Sequence, residues 1–76
     1  MRLVMYAYNG MHWCMKEEAT HEDLKKLAER RERQDFEVTW LSPNEIEINS
    51  DGMISDYMGT ASLVKDSHRI YEAGER

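Results

Sequence analysis

Apolar residues recur with two different periods along this chain, and the switches between those periods predict its elements. Two apolar runs, residues 3–8 and 11–15, flank Asn9-Gly10, and an Asn-Gly pair in that setting is the strongest short-range signal for a β-hairpin. A two-residue type I′ loop there pairs Tyr8 with Met11, Tyr6 with Trp13, Val4 with Met15 and Arg2 with Glu17. One face of the predicted hairpin is therefore aromatic, with an ion pair at its open end. The other carries Leu3, Met5, Ala7, His12, Cys14 and Lys16.

The period lengthens after Thr20. Thr20-His-Glu-Asp23 has the form of a capping box, the hydroxyl placed for the amide of residue 23 and the acid reaching back. Leu24, Leu27 and Ala28 form a stripe at i, i+3, i+4, which Arg31 extends by laying its methylenes on the core. Glu22 with Lys26 and Glu29 with Arg33 add opposite charges four apart, each pair contributing about 0.2–0.5 kcal/mol. The predicted helix runs from His21 to about Gln34.

Strand periodicity returns with Phe36, Val38 and Trp40 alternating with Glu37 and Thr39, and Ser42-Pro43-Asn44 breaks it with turn chemistry. Ile46 and Ile48, alternating with Glu45, Glu47 and Asn49, predict an antiparallel partner strand ended by Asp51-Gly52. A two-residue loop places Trp40 opposite Glu47 and mixes the faces. A three-residue loop places Trp40 opposite Ile48 and segregates them, so that register is preferred. Residues 53–58 fit a short strand or a crossover. Gly59-Thr60 is read as the start of a helix over residues 61–73 with Gly74 at its end; the competing pattern is two strands, 62–65 and 68–72, around Asp66-Ser67. Glu75 and Arg76 are expected to fray.

These elements predict one α+β domain spanning residues 1–76: an antiparallel sheet of four to five strands in ββαββ order, one charged helix across a face, and a short C-terminal helix. A helix offering two leucines covers little surface, so part of the sheet is expected to stay uncovered. A domain of 76 residues gains only about 3–5 kcal/mol from its core. With one cysteine, no internal disulfide is possible. The single cysteine, the absence of a signal-like start and the absence of a roughly 20-residue apolar stretch lead us to expect a soluble, cytoplasmic protein.

Charge narrows the partners. The formal net charge is −5, and it lies entirely in the C-terminal half: residues 1–35 hold seven acidic and seven basic groups, residues 36–76 eight acidic and three basic. This balance disfavours direct nucleic-acid binding and favours a basic protein partner; no membrane partner is expected.

Candidate chemistry is sparse. His12, Cys14 and His21 offer nitrogen and sulfur donors close in sequence, but a four-ligand structural site needs a second close pair that the chain lacks. The strand, Trp13-Cys14 and following helix also resemble the start of thioredoxin-like proteins, a likeness that would imply a thiol-redox role for Cys14. The second cysteine of Cys-x-x-Cys is missing, and Pro43 lies in a turn rather than opposite the thiol. No phosphate loop, nucleophile elbow or metalloprotease motif is present. The expectation is a non-enzymatic protein with no cofactor, no metal and no catalytic residue.

Two side-chain sets remain as candidate protein-binding surfaces. Tyr6, Tyr8 and Trp13 form an aromatic one. Glu37, Glu45, Glu47 and Asp51 form an acidic one, in which alternate carboxylates on a strand stand about 6.6 Å apart. Size, acidity and absent motifs resemble, in kind, the small inhibitors that phages and mobile elements direct at nucleic-acid machinery, among them anti-CRISPR and anti-restriction proteins. The expected function is therefore inhibition or regulation of a basic, nucleic-acid-handling host protein. Two alternatives are a metal or thiol-redox protein using Cys14 with His12 and His21, and a homodimeric adaptor.

Overall fold

A computed structural model describes residues 1–50 and 57–67. Among these described residues five antiparallel strands form one sheet in the order β2-β1-β5-β4-β3, and one helix lies across one face of it. The elements are β1 (Arg2–Ala7), β2 (His12–Lys16), α1 (His21–Arg33), β3 (Glu37–Ser42), β4 (Glu45–Asn49) and β5 (Gly59–Val64). The α+β class and the antiparallel sheet are as the sequence pattern predicts.

The helix begins where its capping chemistry places it. Thr20 Oγ1 accepts from the Asp23 amide at 3.4 Å, and Asp23 Oδ2 accepts from the Thr20 amide at 2.7 Å. Leu24, Leu27, Ala28 and Arg31 are all buried. Arg31 also lays its guanidinium carbon 4.5 Å from the centre of the Tyr57 ring and donates from Nη1 to Gln34 Oε1 at 2.7 Å. At the C-terminus the Asp35 amide donates to Glu32 O and the Phe36 amide to Arg31 O, with Asp35 at φ +68°. That pair of bonds is a Schellman motif, here with Asp in the left-handed position usually taken by Gly.

Leu3, Met5, Ile46, Ile48, Ala61 and Leu63 pack beneath Leu24, Leu27 and Ala28, with Trp13, Met15, Phe36 and Val38 partly buried around them. This set corrects the predicted hairpin register. Met5 faces Trp13 and Tyr6 faces His12, a shift of one residue from the type I′ expectation. The Ala7 amide donates to Met11 O at 2.9 Å and the Gly10 amide to Ala7 O at 3.0 Å, with Gly10 at φ +92°. The loop is thus Tyr8-Asn9-Gly10, a three-residue turn with one positive φ at its end rather than two. The shift puts Trp13 and Met15 on the side of Leu3 and Met5, where α1 covers them, and removes His12 and Cys14 to the other side. A bulge between Val4 and Leu3 restores the original register at the open end: Leu3 pairs with Lys16 and the Arg2–Glu17 ion pair forms at 3.1 Å.

The second hairpin is corrected in a similar way. Its loop is the two-residue Pro43-Asn44, with Ser42 opposite Glu45, and a bulge at Leu41 brings Trp40 opposite Ile46 rather than Ile48. Segregation of apolar and polar faces holds, achieved by a bulge instead of a longer loop. The C-terminal helix is also corrected: residues 59–64 form β5, between β1 and β4. Ala61 and Leu63 enter the core under α1 while Thr60 and Ser62 point to the opposite side of the sheet, where Ser62 is buried as well. Asp51, residues 53–56 and the expectations for residues 68–76 lie outside the described residues. Among the described residues no helix is long and apolar enough to cross a membrane.

Candidate protein-binding face

The sheet surface opposite α1 is built from alternate residues of all five strands. One rung crosses it as His12, Tyr6, Thr60, Glu47 and Thr39, and the next as Cys14, Val4, Ser62 and Glu45, of which Val4 and Ser62 are buried. Glu37, Glu45 and Glu47 of the acidic set and the two tyrosines of the aromatic set, separate in sequence, therefore share one surface. Tyr8, 53% exposed, reaches from the first hairpin loop to donate its hydroxyl to Glu47 Oε2. Its backbone amide is anchored on Met58 O at 2.9 Å. Ser62 Oγ donates to Glu45 Oε2 at 2.7 Å.

Glu45 is thus held by a hydroxyl of the neighbouring β5, and Glu47 by the Tyr8 hydroxyl from the first hairpin loop. An ionised carboxylate accepts about four hydrogen bonds, so acceptor positions remain for an incoming cation. The hydrogen bond to Glu47, then burial, raise the Tyr8 phenol above its ordinary value, and burial raises Tyr6; both rings remain neutral hydroxyl donors at physiological pH. Tyr6 packs edge-on against His12 with ring centres 5.1 Å apart. Arg2 is the only Lys or Arg on this face among the described strand residues, and Glu17 pairs with it. Glu37, opposite Asn49 on β3, adds an exposed carboxylate at the margin.

Trp13 does not join this surface. It lies on the helix side, packed against the core. The three residues considered as metal donors are also divided. His12 and Cys14 stand on the face opposite α1, with the Cys14 thiol 3.6 Å from Glu17 Oε1, whereas His21 Nε2 lies 2.6 Å from Asn44 Oδ1 at the start of α1. Among the described residues no three His, Cys, Asp or Glu side chains are grouped to hold a metal.

Thr60 and Ser62 were missed as members of the face because residues 61–73 were read as helical. Their signal was present: Gly59-Thr-Ala-Ser-Leu63 alternates small or apolar residues with hydroxyl residues at period two. Compared with protein-family models, curated proteins and solved structures, the chain matches none.

Proposed function

We propose that this protein is a non-enzymatic binding module that docks the sheet face opposite α1, by its Tyr8 and Glu47 side, onto a basic partner protein and thereby inhibits or regulates it. The observation that supports this reading most is the convergence of Tyr6, Tyr8, Glu45 and Glu47 on one surface, with both carboxylates oriented by hydroxyl donors. Lys and Arg side chains suit such a site twice over, through charge-assisted hydrogen bonds to the carboxylates and through the face of the exposed Tyr8 ring. A surface rich in Lys and Arg is typical of proteins that grip DNA or RNA, so nucleic-acid-handling machinery is the proposed target class.

The test compares the wild type with the Glu45→Lys, Glu47→Lys double variant as baits in nuclease-treated lysate. The wild type is expected to retain a basic protein in a salt-sensitive manner. Purified, that protein should associate with the double variant at least about tenfold more slowly, the difference shrinking as salt rises. Equal association rates for the two baits would refute this face as the binding surface.

A further inference from the structure

The two edges of the sheet, β2 and β3, each carry one bulge, at Met15 and Leu41. β2 also ends in Lys16, which is ion-paired to Asp23 at 2.7 Å; bulges and charge are the usual protection of an edge. β3 bulges near its end, at Leu41, but residues 37–40 form a regular, largely exposed ladder that pairs on one side only, with β4, among the described residues. Among the described residues no strand pairs with its outer side, whose backbone N–H and C=O groups form a template for one more strand.

A groove of about 450 Å³ runs beside that edge, between β3 and α1. Trp40, 47% exposed, lines it together with Ala28 and Pro43. Glu22, Glu29 and Glu32 project into it from the helix against the single ammonium of Lys25. The groove on the opposite flank of α1 has the reverse balance, with Lys16, Lys26 and Arg30 against Asp23. An indole bordered by carboxylates is suited to a guanidinium or ammonium, which gains from both the ring face and the charges.

We propose that the β3 edge and this groove accept an extended, Arg- or Lys-bearing segment of a partner protein, added as a sixth strand with a cationic side chain seated on Trp40 between Glu29 and Glu32. Charge selects this occupant over a second copy of the chain. Pairing two β3 edges about a two-fold axis would bring two carboxylate rims together, which is unfavourable. The site is on the helix side of the sheet and stands independently of the reading of the opposite face.

The probe is an acetylated, amidated peptide of alternating arginine and threonine, about eight residues long to span the strand, titrated into ¹⁵N-labelled protein. Saturable shifts are expected in the amides of residues 37–42 and in the Trp40 indole. An alternating glutamate–threonine peptide, and the arginine peptide N-methylated at every second residue, should each bind at least about tenfold more weakly. Trp40→Ala, at a half-exposed position the core does not use, should weaken binding about tenfold. Glu29→Lys with Glu32→Lys, both on the exposed side of α1, should do the same. The proposal is overturned by an absence of saturable shifts on β3, by equal binding of the glutamate peptide, or by shifts confined to Tyr6, Tyr8 and Glu47. Concentration-dependent dimerisation that protects the β3 amides without peptide would assign the edge to a second copy and also overturn it.

Discussion

Asp23 serves two elements at once. Oδ1 accepts from Lys16 Nζ at 2.7 Å, and Oδ2 from the amide and hydroxyl of Thr20 at 2.7 and 3.1 Å. The Lys16 hydrogen bond, then those from Thr20, lower its pKa from 3.8 to about 2. Because the folded value lies below the unfolded one, the associated stability is complete above the unfolded pKa and lost as pH falls through the folded one. Asp23→Asn should therefore flatten the pH dependence of stability between about pH 4 and pH 2, measured as denaturant midpoints across that range. An unchanged slope would mean that these contacts do not persist in solution. Gly59 illustrates a different constraint. At φ +151°, a Cβ there would lie 2.1 Å from the Tyr6 carbonyl oxygen, on the backbone of the paired strand. Gly59→Ala should lower the thermal midpoint by roughly 10 °C or more, since strained φ/ψ costs about 1–3 kcal/mol and each kcal/mol is worth about 4–8 °C in a domain of this size.

At the scale of elements, each hairpin combines a loop with a bulge, and the bulge decides which residues face the core. In the second hairpin Leu41 is the extra residue, 51% exposed, between the Trp40–Ile46 and Ser42–Glu45 pairs. Deleting Leu41 leaves both pairs adjacent in a regular ladder. The shortened protein is thus expected to keep the Trp40–Ile46 cross-strand contact in NMR and to melt within about 8 °C of the wild type, equivalent to about 1 kcal/mol. Loss of that contact would show that the bulge itself holds the register. The helix boundaries were readable because a capping box and a 3.6-residue stripe are local signals. Register was not, because bulges have little sequence signature and respond to packing: Trp13 and Met15 gain burial on the Leu3 and Met5 side that His12 and Cys14 do not need.

For the molecule as a whole, the margin of stability is small. Leu24 is fully buried at the centre of the α1–sheet contact. Leu24→Ala should remove about 2–5 kcal/mol from a fold with about 3–5 kcal/mol available. The variant is expected to be largely unfolded at 25 °C by circular dichroism; a cooperative melt near the wild-type midpoint would show a larger stability reserve. The same scale organises the candidate site. Among the described residues one helix packs on one side of five strands, and the opposite side collects the tyrosines of β1 and its following loop, the carboxylates of β4 and the hydroxyls of β5. Of the predicted site residues, Tyr6, Tyr8, Glu45 and Glu47 come together, Glu37 stands at the margin, and Trp13 turns to the core.

By itself the sequence determined the α+β class, the capped helix and its buried stripe, and the alternation that sends Ile46 and Ile48 inward and Glu45 and Glu47 outward. These follow from local turn chemistry and from the periods of helix and strand. The tertiary structure alone decided the strand order, the placement of β5 between β1 and β4, the registers of both hairpins, and hence which aromatic residues share a face with the carboxylates. Those outcomes depend on which pairing buries the most apolar surface beneath one small helix, a comparison among distant segments that no local pattern contains.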